Sequence, residues 1–268
     1  MFLEQKTVFD SILFVFVFLF GISIGSFLNV CIYRMGREMS IVRPSSHCPQ
    51  CKKPIPWYDN VPLVSYLVLR GRCRACGAKF SVRYFAVELI MGLLFLAIFR
   101  RFWFTPQAFV YAIFTCGLVI ATFVDFDFRI IPDEVTLGGI GVGLLLSFIF
   151  PSIYHTASHV ASLRSSALGV LVGGGVLWIL GCVGDFVFKK ESMGGGDVKL
   201  LAMIGAFLGW STALMVLPVA SCLGAIVGII IKLRTKESVI AFGPYLSMGA
   251  LICMFFGGAI LHWFFGLS

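Results

Sequence analysis

Long runs almost free of charge dominate this sequence and leave few folds open to it. A helix needs roughly 20 apolar residues to cross a hydrocarbon core about 30 Å thick. Eight segments approach that length: 9–33, 84–100, 106–124, 135–151, 165–187, 198–216, 217–232 and 243–265. The sixth and seventh run together, and Leu217-Pro218 marks the division between them. Lipid offers the backbone no hydrogen bonds, so apolar segments of this length cross it as helices. A composition that is 59% hydrophobic and 13% charged agrees. The expected fold is an all-α polytopic membrane protein with about eight transmembrane helices. The first run is too long for the core of a signal peptide and is read as a retained helix.

The net charge of +8 would suit a nucleic-acid binder, but its distribution argues against that partner. Ten of the Lys and Arg residues lie between 34 and 83. Cytoplasmic loops carry the excess of basic residues, so this segment faces the cytoplasm. Alternating the spans from there puts Arg129, Lys189, Lys190, Lys199, Lys232, Arg234 and Lys236 on the same side. Only Lys6, Arg100, Arg101 and Arg164 fall outside. Both termini are therefore expected outside. The chain divides into a first span (1–33), a small loop-rich cytoplasmic domain (34–83) and a membrane domain (84–268).

Nine cysteines separate into two kinds. Cys31, Cys116, Cys182, Cys222 and Cys253 are scattered singly through apolar runs and read as small buried hydrophobes. Cys48, Cys51, Cys73 and Cys76 form two Cys-x2-Cys pairs within the basic loop. Four thiolates in two close pairs suit tetrahedral zinc, and a reducing compartment disfavours the alternative of two disulfides. A closed four-cysteine site leaves no position for substrate. The metal would be structural, supporting a zinc-ribbon-like domain.

Asp125 closes one apolar run and Asp197 opens another, the latter directly after Gly194-Gly195-Gly196. Ionisable groups at membrane depth are costly and mark functional sites. Two carboxylates able to meet across helices suggest an aspartic-protease pair; a structural or ion-binding pair is the competing reading. Glycines before Asp197 allow unusual backbone conformations and leave room for an extended substrate. Asp133 follows Pro132 and reads as a cap for a helix beginning near Val135. Asp127 and Asp185 read as interfacial acids. Glycines four residues apart, at Gly21/Gly25, Gly139/Gly143, Gly169/Gly173 and Gly224/Gly228, indicate close helix packing, as does Gly173-Gly174-Gly175.

These motifs together resemble the bacterial prepilin peptidases, aspartic intramembrane proteases of the Gly-x-Gly-Asp type. Gly25-Ser26-Phe27-Leu28-Asn29-Val30 with Arg34 is similar to that family's first span, and Asp59-Asn60-Val61-Pro62 and Leu69 to Cys73 to its zinc loop. Arg83-Tyr84 with Val87-Glu88-Leu89 is similar to the entry to its second span. Asp125 to Asp133 and Gly194 to Lys199 resemble both of its catalytic motifs, and Phe242-Gly243-Pro244-Tyr245 a late motif in which proline usually stands where this chain has Ala241. The resemblance implies that Asp125 and Asp197 are the catalytic pair, with Gly194, Gly195, Gly196 and Lys199 forming an active-site or substrate-binding loop. It implies cleavage of the leader from type IV prepilin and pseudopilin precursors at the cytoplasmic face of the bacterial inner membrane. It also implies N-methylation of the new terminus with S-adenosylmethionine. Gly71, Asp59, Asn60 and Glu88 are candidates for the methyltransferase site by position in the family. Their plainer readings are a tight turn, a polar turn and a carboxylate paired with Arg83. A peptidase without methyltransferase activity, an ion transporter using the two carboxylates, and a membrane scaffold are the alternatives.

Overall fold

The computed structural model describes residues 2–154, 156–189, 193–235 and 241–265. Lys190 and Lys236, counted above, lie outside the described residues. The described residues contain no strand. They form α1 (Phe2–Met35), a short α2 (Val64–Val68), α3 (Val82–Phe102), α4 (Pro106–Phe128), α5 (Asp133–Ile149), α6 (His159–Phe188), α7 (Gly195–Leu208), α8 (Trp210–Thr235) and α9 (Gly243–Phe265).

Eight helices thus stand where eight apolar runs were expected, but they are not equivalent. Five contain stretches long and apolar enough to cross a membrane: Asp10–Met35, Val82–Phe102, Pro106–Phe128, His159–Val187 and Trp210–Leu233. At 1.5 Å per residue, α5 and α7 reach only about 25 and 21 Å, short of the hydrocarbon thickness. The expected division at Leu217-Pro218 is also displaced. Helix α7 stops at Gly209, whose φ of +84° is a conformation L side chains rarely adopt. Pro218 sits inside α8 instead, tolerated as prolines in membrane helices often are.

The chain forms two compact units, Met1–Ala108 and Phe109–Ser268. In the first, α1 and α3 pack side by side and the cysteine-rich loop joins them. Small residues set their separation. A Cβ on Gly21 would come within 2.9 Å of the Gly92 and Met91 backbone, and one on Gly25 within 2.8 Å of the Glu88 Cα.

In the second unit α7 is the centre. It packs against α5, α6, α8 and α9, and all residues from Leu200 to Phe207 are buried. A helix apolar on every side belongs inside a bundle. Lipid is as apolar as leucine, so helix association here depends on close packing and interhelical hydrogen bonds. Both are present. Gly169 of α6 and Gly205 of α7 face each other without room for a Cβ on either, and Gly173 packs on the Leu201 carbonyl. The Ala206 carbonyl accepts hydrogen bonds from Ser166 Oγ (2.7 Å) and Tyr154 Oη (2.8 Å). Phe114 of α4 stacks on Phe207 with ring centroids 4.8 Å apart. The glycine spacing read as packing is used so at Gly21/Gly25, Gly139/Gly143 and Gly169/Gly173.

Candidate active site

Three helix ends converge in the second unit. Asp125 lies in the last turn of α4 and is only 6% exposed. That helix ends at Arg129, whose φ of +56° turns the chain out of helical conformation. Residues 130–132 then lead directly into α5, and Ile131 turns inward.

Asp197 stands in the first turn of α7, three residues after the N-cap Gly194, whose carbonyl accepts its N–H at 3.1 Å. The glycines before it serve space rather than conformation. Gly195 and Gly196 are helical, and neither they nor Gly194 have positive φ. A Cβ on Gly196 would come within 3.1 Å of Ile131, whereas one on Gly195 would meet nothing within 4 Å. The first glycine contact lets α7 close on the α4–α5 connection; the second leaves the helix end open and exposed.

Helix α9 completes the group. The Gly243 N–H donates to Asp125 Oδ2 at 3.1 Å, and Ile131 packs against Gly243 as well as Gly196. Ile131 thus packs between the turn that carries Asp197 and the glycine whose amide binds Asp125. Lys199, one half-turn beyond Asp197, donates to both carboxylate oxygens of Asp133 at 2.7 and 2.9 Å. Asp133 is therefore not a cap: Pro132 holds the N-cap position of α5 without a side-chain bond, and the Asp133 carboxylate faces a lysine.

The first unit gathers the other expected residues. The ligand atoms of Cys48, Cys51, Cys73 and Cys76 all lie within 4.8 Å of one another. Cys48 Sγ and Cys76 Sγ are 3.8 Å apart, too far for a disulfide. Zinc–sulfur bonds of 2.3 Å give a tetrahedral edge of about 3.8 Å, the spacing of the Cys48 and Cys76 sulfurs. Burial opposes ionisation of Cys48, but backbone N–H groups of Cys51 and Gln50 and the thiols of Cys51 and Cys73 outweigh it, lowering its thiol to about 7. The Ala78 N–H favours the Cys76 thiolate, yet burial and the three neighbouring thiols push it up to about 11. Four crowded sulfurs resist ionising together unless a dication replaces their protons. The donor set fits zinc.

Beside the cysteines is a cavity lined by Asp59, Asn60, Gly71 and Glu88, the four residues picked out by family position. They are not alike. Arg74, between two of the cysteines, grips Asp59 with three hydrogen bonds of 2.6 to 3.0 Å and holds its carboxyl below the usual range. Asp59 is a strut for the cysteine loop. Gly71 has φ +64°, and a Cβ there would strike Tyr66 at 2.8 Å. Glu88 is buried, and its Oε2 accepts the Leu63 N–H at 2.7 Å. Leu63 adopts φ 59°, ψ −48°, a strained conformation for a leucine.

Residues 19–102 match the Bacterial Peptidase A24 N-terminal domain, and residues 112–229 match the Type IV leader peptidase family. A protein of Aeromonas hydrophila named Prepilin leader peptidase/N-methyltransferase is 37% identical, with 94% of this chain and 93% of that protein aligned. The chain belongs to the type IV leader peptidase family. Proteins of the same name from Legionella pneumophila and Myxococcus xanthus (strain DK1622) are 33% and 42% identical. The alignment covers 95% of this chain and 95% of the Legionella protein, and 84% of this chain but 64% of the Myxococcus protein. No solved structure matches the chain.

Gly243 belongs to the Phe242-Gly243-Pro244-Tyr245 motif, but nothing in that motif marks its amide as a contact for Asp125. A backbone donor has no residue signature, and Gly243 lies 118 residues from the carboxylate it contacts. Leu63 escaped notice for the same reason: it acts through its amide.

Proposed function

We propose that this multi-pass membrane protein removes the leader from type IV prepilin and pseudopilin precursors and N-methylates the newly exposed residue. One observation carries the peptidase reading. Asp125 and Asp197, from different helices, stand at helix ends that Ile131 packs between, beside an exposed glycine turn. A carboxylate pair of this kind hydrolyses amides by sharing one proton. One member takes a proton from water as the water oxygen attacks the scissile carbonyl, and the other donates to the carbonyl oxygen. An ion-transport role gives no reason for the space left open at Gly195. In this reading Gly194, Gly195 and Gly196 admit the extended substrate and Lys199 holds the loop.

The relatives' names support the second activity, and the cavity of the first unit supports its location. The buried Glu88 carboxylate and the rings of Tyr33, Tyr66 and Tyr84 line it, a surface suited to a cationic group. These residues would hold S-adenosylmethionine, which supplies a methyl group on a positively charged sulfur. Arg34 is engaged with the Ser40 and Pro44 carbonyls and shapes the wall. Zinc on Cys48, Cys51, Cys73 and Cys76 would fix the loop that carries Asp59, Asn60 and Gly71. The division of labour follows: 1–33 as first span, the loop domain 34–83 for methylation and 84–268 for proteolysis, with α3 also forming a wall of the cavity. The density of basic residues in 34–83 supports a cytoplasmic loop and an active site at the cytoplasmic face of the inner membrane.

Co-expression with a prepilin precursor tests both activities. Intact mass of the product should show loss of the leader and a gain of one methyl group. An unprocessed precursor overturns the peptidase reading; a cleaved, unmethylated product overturns the methyltransferase reading alone.

A further inference from the structure

Two carboxylates sharing a proton need something to break their symmetry. We infer that the Gly243 N–H does so, holding Asp125 as the ionised base and leaving Asp197 to carry the proton as the acid. The inference rests on the reading of Asp125 and Asp197 as a peptidase pair and assigns each member its role.

Asp125 Oδ2 accepts the Gly243 N–H from the first turn of α9, where the backbone amides of a helix point at an anion. A hydrogen bond donated to a carboxylate favours its charged form. Asp197 differs. Its Oδ1 is buried and has no hydrogen-bond partner among the described residues. A buried ionised oxygen without a donor is costly, whereas a protonated carboxyl needs no such donor. Asp197 also sits at a helix N-terminus, but a diffuse dipole is weaker than an aimed N–H. The other charged groups agree. Arg129 follows Asp125 by four residues, just past the end of α4, and a cation near a carboxylate favours its charged form. The first turn of α9 has no acidic side chain, and at the start of α5 Asp133 is paired with Lys199. Position 243 must be glycine for this contact, since a Cβ would lie 2.7 Å from Asp125 Oδ2 and 3.0 Å from Ile131.

The cycle then balances. Asp125 takes a proton from water, the water oxygen bonds to the carbonyl carbon, and Asp197 gives its proton to the carbonyl oxygen. The carbon–nitrogen bond of the resulting diol breaks as Asp125 returns its proton to the leaving nitrogen. Asp197 recovers a proton from a diol hydroxyl, and both aspartates regain their starting states. Gly243 touches no reacting atom and is a positioning residue.

The test uses the full-length enzyme in detergent or liposomes with a prepilin substrate. Gly243→Ala should lower kcat at least 30-fold with KM within about threefold and the thermal transition retained. If that variant does not fold, glycolic acid at 243, introduced by nonsense suppression, replaces the N–H by oxygen and adds no side chain. The ester should move the acid limb of the kcat–pH profile upward by about one unit and leave the alkaline limb in place. An unmoved acid limb, a displaced alkaline limb, or complete inactivity of the folded ester enzyme overturns the assignment. Undiminished cleavage by Asp125→Asn or Asp197→Asn is a separate result: it removes the peptidase pair itself.

Discussion

Lys199 Nζ binds both carboxylate oxygens of Asp133, tying the first turn of α7 to the first turn of α5. The two side chains are 39% and 56% exposed, so the pair contributes only about 0–1 kcal/mol to stability. We propose that it orients the turn holding Asp197. Asp133→Asn and Lys199→Gln should each slow cleavage about three- to tenfold while shifting the melting temperature little. The exchanged pair Asp133→Lys with Lys199→Asp should recover part of the rate. Equal activity in all three variants would show that the contact orients nothing.

The two aspartates carry the largest expected loss. Asp125→Asn and Asp197→Asn should each reduce leader removal by at least 1,000-fold, roughly 4 kcal/mol of transition-state stabilisation, with normal amounts of folded protein. Asp127→Asn, whose side chain is exposed two residues along the same helix, should retain most activity. Processing of precursor in cells, followed by gel shift, separates these outcomes.

Glycines in the bundle should divide by what surrounds them. Gly169→Leu must push α6 from α7 and should abolish accumulation of folded protein, since neither backbone can yield at that crossing. Gly138→Ala meets nothing within 4 Å and should be neutral or stabilising by up to about 1 kcal/mol through helix propensity. Thermal unfolding in detergent measures both.

Metal removal should distinguish the two activities. Tight chelation, or Cys48→Ser with Cys76→Ser, should abolish methylation while leaving leader cleavage within about fivefold, read by intact mass and metal analysis. Metal binding must displace thiol protons, so zinc should be released as the pH falls. Equal loss of both activities on chelation would contradict the separation.

Glu88 offers the complementary experiment. Glu88→Gln keeps an acceptor for the Leu63 N–H at nearly the same volume but replaces an ionisable carboxyl at the cavity wall by an amide. Methylation should fall at least 100-fold with cleavage unchanged. Asp59→Asn should instead weaken metal retention, because its carboxylate secures Arg74 between Cys73 and Cys76.

Local chemistry made much of this legible. Apolar runs placed the long helices because lipid leaves the backbone no other partner. Cys-x2-Cys pairs announced a cluster because ligand spacing is a property of neighbouring residues. The break between α7 and α8 was misplaced because Pro218 is the louder signal. Gly209 is the actual break: its φ of +84° ends α7, whereas a membrane helix tolerates Pro218. Asp133 looked like a cap because caps are recognised within one turn, whereas Lys199 lies 66 residues away.

By itself the sequence determined a membrane protein of the type IV leader peptidase family, with four cysteines spaced to suit one metal and two aspartates set apart from the other acids. Composition and short-range spacing suffice for that. Only the tertiary structure decided that α7 is the buried hub, that Arg74 holds Asp59 and that Glu88 holds the Leu63 amide. It alone brought the Gly243 amide to Asp125. Those facts depend on which backbone atoms meet after helices pack, and a backbone amide or a missing Cβ has no mark in the sequence until its neighbour is known.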